Sequence, residues 1–385
     1  MKILHICISG LFVDGLSYQE NLLTRYHTRL GHEVSLITCL KKFDENGNYV
    51  YDEKPYEYVN EDGVHVVKLD NVAPKKLGRL LRVCKGTYKA ICKEAPDVIF
   101  LHGVQSADLR QIVKYAKKHP DVKIYADNHA DFSNSATNWI SKNIQHKIMW
   151  RHYAKKINPY VKKFYGVMPA RVDFLAEMYG LPREKIELLV MGADDVLVES
   201  ASAPEVRADL RKRYAIGEDD FLITFGGKID AAKKQTLLLM DAVNEMKAEN
   251  AKLIVFGSVT EELKEAVESR CSDKVQYIGW VKSEDSYDYF AASDLVVFPG
   301  RHSVFWEQVA GQGIPMVVKH WDGTTHVDCG GNVKFLYKDS VEEIKEVLEP
   351  LVKRGEEYLA MKKAAEGKGK ETFSYKDIAK RSIEE

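Results

Sequence analysis

The sequence has no apolar run near the roughly 18–20 residues needed to span a bilayer. Its apolar start, Met1 to Ser9, is broken at His5 and Gly10 and has no small-residue cleavage site. Neither a membrane span nor a signal peptide is expected. Cysteine is scarce: Cys7, Cys39, Cys84, Cys92, Cys271 and Cys329, with no CxxC pair. Reduced, buried thiols in a cytoplasmic protein are the expectation. No GxGxxG follows the first apolar segment and no GxxxxGK[ST] occurs, which argues against a dinucleotide fingerprint and a P-loop. His and Cys residues show no zinc spacing and no Asp-x-Asp ends a strand, so no metal is expected. Short-period repeats and low-complexity tracts are also missing.

What is present suits a globular protein. The 385 residues are 45% apolar and 29% charged, enough for two domains. The net charge of −1 is unevenly spread. Residues 1–195 hold 29 Lys and Arg against 23 Asp and Glu, and residues 196–385 hold 27 against 34. The first half is therefore basic and the second acidic.

Lys2 to Ser9 reads as a strand, Gly10 to Leu16 as a loop, and Glu33 to Cys39 as the next strand. Between them lies a helix with Ser17 as N-cap, Glu20 completing a capping box, and Gly31 as terminator. That order is a βαβ unit. Further strands are predicted at Val64–Leu69, Asp97–His102, Lys123–Asp127 and Gly166–Met168. Ala201 to Pro204 resembles a linker. A second series follows, with strands at Phe221–Gly227, Ala251–Gly257, Val275–Trp280, Leu295–Pro299 and Met316–His320. Helices Lys234–Glu249, Glu261–Arg270, Ser286–Ala292 and Ser303–Gly313 alternate with them. The chain thus predicts two Rossmann-like, doubly wound parallel α/β domains in tandem, with ligands beyond the carboxyl ends of the strands, in a cleft between facing domains. The expected boundaries are 1–195, 196–370, and a terminal helix 371–385 free to cross back to the first domain.

Several motifs in this order resemble glycosyltransferase family 4, the retaining GT-B enzymes. They are the opening unit with Gly31-His32-Glu33-Val34, the junction Met191-Gly192-Ala193-Asp194, and Gly226-Gly227-Lys228 followed by Lys233-Lys234. Tyr277-Ile278-Gly279-Trp280-Val281 and Glu307 to Pro315 complete the set.

The resemblance implies a role for each. Gly227, Lys228 and Lys234 would hold a nucleotide diphosphate and stabilise it as it leaves, with Lys233 able to replace Lys234. Trp280 and Val281 would border the base, and Glu307 would accept hydrogen bonds from the ribose. His129 would reach the donor sugar, with His102 a weaker candidate, and Gly15 would let backbone approach phosphate or acceptor. Lys228 stands where the family usually has Arg, which keeps charge but loses the bidentate fork. Pro299 stands where the family usually has a first Glu, and the loop is about four residues shorter than the family's usual loop. His302, the amides of Ser303 and Val304, or Arg301 would take over there. No carboxylate stands out as a nucleophile. The implied reaction retains configuration by same-face attack, without metal, moving sugar from a UDP- or GDP-sugar to a sugar or lipid-linked glycan in cell-surface polysaccharide assembly. No cofactor other than the nucleotide-sugar is implied. A catalytically inactive GT-B binding protein and a sugar-nucleotide epimerase are the alternatives.

Two stretches carry cations and no acids, Pro74 to Lys93 and Phe132 to Val172. In the second, Lys142, Lys147, Arg151, Lys155, Lys156, Lys162 and Lys163 interleave with Trp139, Ile144, Ile148, Trp150 and Tyr153. That mixture suits peripheral contact, through residues 142–163, with an anionic membrane on its cytoplasmic face. A solvated helical face on a core is the alternative. No nucleic-acid module is present.

Overall fold

The computed structural model describes residues 1–44 and 48–384. It divides into two compact units, Met1–Val190 with Ile378–Glu385, and Met191–Asp377. Glu385, at the end of the expected terminal helix, lies outside the described residues.

The first unit is built on strands β1 (Lys2–Cys7), β2 (Glu33–Cys39), β5 (Tyr56–Val59), β6 (His65–Leu69), β7 (Val98–His102), β8 (Lys123–Asn128), β9 (Val161–Gly166) and β10 (Ile186–Leu188). A small antiparallel hairpin, β3 (Lys41–Phe43) with β4 (Tyr49–Tyr51), stands apart. The sheet order is β10-β9-β8-β7-β1-β2-β6-β5, parallel except where β5 pairs antiparallel with β6. β1 is buried from Ile3 to Cys7 because helices cover both faces of a parallel sheet. β2 and β7 flank β1, so the winding reverses at β1, between the loops after β1 and β7.

The second unit has β11 (Phe221–Gly226), β12 (Ala251–Phe256), β13 (Val275–Tyr277), β14 (Leu295–Phe298), β15 (Met316–Lys319) and β16 (Val333–Leu336). They lie in the order β13-β12-β11-β14-β15-β16, all parallel. The winding reverses between β11 and β14, which places the loops after these two strands at the switch point.

Several expectations are corrected. The first helix runs from Gln19 to Arg29, with Tyr18 extended at the N-cap and no side-chain cap, so Ser17 does not form a capping box. The strand expected at Gly166–Met168 instead ends at Gly166, and Met168 leads into the helix Pro169–Glu177. Lys162-Lys163 inside β9 disguised it as part of the basic helical stretch. A Cβ on Gly166 would stand 2.3 Å from the Val172 amide nitrogen, so glycine lets that helix return closely over the strand. The 201–204 segment is only a break between helices Asp195–Ala201 and Pro204–Arg213. Cys7, Cys39 and Cys84 are buried, but Cys92 and Cys271 are exposed. Among the described residues, no helix is long and apolar enough to cross a membrane.

Candidate functional site

The carboxyl ends of three adjacent strands in the second unit finish in glycine. Gly227 follows β11, Gly257 follows β12 and Gly279 lies beyond β13. Gly227 N donates to Phe256 O at 3.0 Å, and Gly257 N donates to Gly279 O at 2.7 Å. A Cβ on Gly257 would lie 1.8 Å from the Gly227 carbonyl oxygen, at a φ of +133°. Two main chains therefore meet with no side chain between them. Gly257→Ala is expected to cost at least about 3 kcal/mol, read as a fall in Tm. An unchanged Tm would contradict this contact.

Lys228 follows Gly227, with its side chain 60% exposed and its Nζ 3.5 Å from Asp230 Oδ2. The helix after this loop begins at Gln235, with Lys234 in the N-cap position. Lys233 packs against Gly300 in the loop after β14. Burial lowers the pKa of the Lys233 amine; Asp230 opposes the fall and the Lys228 charge adds to it. Lys228 and Lys233 thus share one electrostatic neighbourhood at the switch point. Lys234 is exposed and acts instead on Asp339, whose carboxyl also holds Lys319 at 2.7 Å.

Beyond β14, Gly300 accepts a hydrogen bond at 3.3 Å from the Trp321 indole. Arg301 is exposed, and the Ser303 hydroxyl accepts from Phe305 N at 3.4 Å, turned into its own helix start. Val304 is exposed just before the helix Phe305–Gly311. Glu307 in that helix is buried. Its Oε1 lies 2.8 Å from His302 Nε2 and 2.9 Å from His326 Nε2. Burial would raise its pKa, but the charges and hydrogen bonds of His302 and His326 outweigh it and hold the carboxyl well below the usual range. Glu307 Oε2 and His326 Nδ1 are buried without a hydrogen-bond partner among the described residues. The three side chains bring potential ligand atoms within 4.8 Å and could hold an ion, an arrangement not anticipated from sequence spacing. His326 was not singled out from the sequence. It reaches the site from the short 3-10 turn Thr325–Val327, 19 residues after Glu307, and its only signal was a histidine in a Gly/Thr/Asp loop.

Trp280 and Val281 do not join this group. The strand expected to carry them ends at Tyr277, and they line a pocket with Asp209, Arg213, Asp285 and Tyr289. Neither Lys228, Lys233 nor Glu307 lines it.

In the first unit, Gly15 has a φ of +76°, and a Cβ there would meet nothing within 4 Å. The loop beside it is fixed by Asp14, which accepts from Tyr58 Oη at 2.5 Å and Asn60 Nδ2 at 2.9 Å. His129 lies just past β8, its side chain 38% exposed and its Nε2 3.4 Å from Asp127 Oδ2. Burial lowers its pKa, but Asp127 outweighs this and the net shift is upward. Asp127 is fully buried and also contacts His102 Nδ1 at 3.0 Å.

Two family models match along the chain. "Glycosyltransferase Family 4" covers residues 14–196 and "Glycosyl transferases group 1" covers residues 220–353. The chain belongs to the family 4 glycosyltransferases. This glycosyltransferase is 21% identical over 328 residues to an uncharacterized glycosyltransferase of Methanocaldococcus jannaschii, covering 82% of this chain and 79% of that one. It superposes on a glycosyltransferase from Rickettsia africae with a TM-score of 0.70 at 14% identity, covering 99% and 96% of the two chains. Anabaena HepE, solved in complex with UDP, gives a TM-score of 0.68 at 14% identity, covering 99% and 98%. These likenesses establish the GT-B fold of the glycosyltransferase.

Proposed function

We propose that this glycosyltransferase retains anomeric configuration and takes a UDP- or GDP-sugar as donor, with a sugar or lipid-linked glycan as acceptor in surface polysaccharide assembly. The observation that carries the donor half is that Lys228 and Lys233 share the loop after β11, that Lys233 packs on Gly300 in the loop after β14, and that the helix following that second loop carries Glu307. Two ammonium groups beside that point suit a diphosphate, and they would stabilise the charge that grows on it as the glycosyl bond breaks. Glu307 offers Oε2, a buried acceptor with no partner among the described residues, to a ribose hydroxyl. The two imidazoles on Oε1 fix the carboxylate's rotamer, so its orientation is set before ligand arrives. His302 fills the shortened loop where the family's first Glu is replaced by Pro299. In the first unit, His129, whose pKa Asp127 holds above its ordinary value, would meet the transferred sugar. The fixed charges and positioning replace a metal in this reading.

Nuclear magnetic resonance of the product anomer, formed from UDP- and GDP-sugars, tests the proposal. A product of the donor's own configuration supports it, and the opposite anomer overturns it. Nucleotide binding without sugar release from any donor would favour an inactive binding protein, a reading kept in view by the absence of the first Glu.

The acceptor half includes an anionic membrane surface. A π-helical run, Ser141–Trp150, leads into the helix Arg151–Ile157. Trp139, Ile140, Ile144 and Ile148 are exposed at 69%, 60%, 47% and 66%. Hydrogen bonds five residues apart widen the turn, so residues at spacing four remain on one face. Lys142 and Lys147 are exposed beside them. Apolar tips with flanking cations match the headgroup region of an anionic bilayer. Reversing Lys142, Lys147 and Arg151 to Glu is expected to weaken binding to phosphatidylserine vesicles by at least about 100-fold, at about 1 kcal/mol per basic residue. Nucleotide affinity should not change. Equal co-sedimentation of variant and wild type would refute the membrane contact.

A further inference from the structure

Three histidines that the proposed chemistry does not use form one line through the first unit. His102 Nδ1 is 3.0 Å from Asp127 Oδ2, and His102 Nε2 is 2.9 Å from His5 Nδ1. His5 Nε2 is 3.0 Å from His27 Nδ1. His27 Nε2 is 2.9 Å from the Ala379 carbonyl oxygen and 3.1 Å from Ser382 Oγ. The three rings come from β7, β1 and the helix Gln19–Arg29, and all are buried. The line begins at the buried carboxylate that also holds His129 and ends on the C-terminal segment of the chain, which belongs to this unit.

Counting hydrogens shows that the line is one short. Each of its four links needs one. Both ends only accept: Asp127 is held ionised, because the His129 and His102 charges overcome its burial, and Ala379 offers a carbonyl. The Ser382 hydroxyl donates to Ala379 O at 2.8 Å, so its oxygen is left to accept. A neutral imidazole brings one N–H and one lone pair. Three neutral rings therefore supply three hydrogens for four links. One link would set two lone pairs face to face at about 3 Å, in a place that water does not reach.

We propose that the line Asp127–His102–His5–His27 stores one proton beyond three neutral imidazoles, and that this proton ties the seat of the C-terminal segment to the Asp127–His129 pair. The charge lies at the Asp127 end. Burial pushes the pKa of His5 well below its ordinary value and that of His27 down to about 4, so neither ring keeps a charge at neutral pH. His102, against the carboxylate, then carries both N–H groups. The sense of every other link follows: His5 donates from Nε2 to His27, and His27 donates from Nε2 to Ala379.

The groups facing the line agree with a net charge of zero along it. Glu20 acts on His102, His129 and Asp127, and burial raises its pKa. Cys7 is buried nearby, and its thiol is pushed well up by burial, so it stays neutral. The His32 ring is 6.2 Å from His27, and its pKa is lowered by burial. His129 competes with His102 for the same Asp127 oxygen. Resting on the reading of His129 as a site residue, His5, His27 and His102 are positioning residues for it.

The test is imidazole nitrogen NMR of the full chain labelled in histidine, near neutral pH, on wild type and His27→Asn. In wild type, His102 is expected with both nitrogens protonated, and His5 and His27 as neutral Nε2–H tautomers. The shorter asparagine side chain of the variant would not reach Ala379, but its amide can donate to His5. Two neutral rings and that amide then satisfy the three remaining links. The imidazolium should therefore disappear in His27→Asn, with His5 and His102 becoming Nδ1–H tautomers. Neutral rings throughout the wild type would overturn the stored proton. An imidazolium that survives His27→Asn would show that Asp127 alone holds it and would overturn the line. The pH profile of turnover separates this inference from the reading it rests on. Tautomers as stated, with an unshifted profile in His27→Asn, would leave the stored proton standing and remove His129 from the site.

Discussion

Glu307→Ala is expected to lower stability by about 3 kcal/mol, because it leaves the buried His326 imidazole and the half-buried His302 ring without the carboxylate they share. A fall in Tm of roughly 10 °C is the expected reading. Loss of donor binding should accompany it, but misfolding could cause that alone. Glu307→Gln separates the two effects. The amide keeps the shape and one acceptor for an imidazole N–H, so the fold should survive, while nucleotide affinity falls by about 10-fold or more as a charge-assisted hydrogen bond becomes a neutral one. The pH dependence follows from the depressed Glu307 carboxyl. A folded pKa below the unfolded value contributes stability that is complete above the ordinary carboxylate pKa of 4.5 and is lost as pH falls below it. Acid unfolding of Glu307→Gln should therefore be shallower than that of wild type. Identical acid transitions in the two proteins would contradict the assignment.

Lys228→Ala and Lys233→Ala are each expected to reduce kcat/KM by about 10–100-fold, the worth of about 1.5–3 kcal/mol for a hydrogen bond to a charged group. Lys234→Ala should change it less than about threefold, because its charge is directed at Asp339 rather than at Lys228. Lys228 and Lys233 are partly or largely open to solvent, so removing either should leave stability within about 0.5 kcal/mol of wild type. If Lys234→Ala is the damaging change and Lys233→Ala the silent one, the pairing at the switch point is wrong. A Lys228→Arg variant should retain activity, since it restores the fork that the family usually carries.

The fold was legible because parallel strands buried on both faces leave continuous apolar runs. Leu253-Ile254-Val255-Phe256 inside β12 is such a run, and its limits in the sequence agree with the structure to within one residue. β9 was displaced because Lys162 and Lys163 gave it the look of the basic helix before it. β5 and β16 were not anticipated: β5 is mostly exposed, and neither presents a fully buried apolar run. At the candidate site, Glu307, His302 and Lys228 could be read from motif order alone. The choice between Lys233 and Lys234 could not, because one residue at a helix start rotates the side chain by about 100° and redirects the charge. His326 was invisible for a different reason: only tertiary folding brings the loop after β15 onto the Glu307 helix. His5 and His27 lie within an apolar strand and a helix, where a histidine reads as ordinary core.

The central claim is that the second unit grips a diphosphate through Lys228 and Lys233 while Glu307 takes the ribose. Calorimetric titration of the wild type and of the Lys228→Ala, Lys233→Ala double variant with UDP, UMP and uridine, and with the guanosine series, tests it most directly. For one base, the nucleoside diphosphate is expected to bind the wild type at least about 10-fold more tightly than the monophosphate, and the double variant should lose most of that advantage. A wild type that binds nucleoside and diphosphate equally, or a double variant that keeps the full preference, would contradict the account.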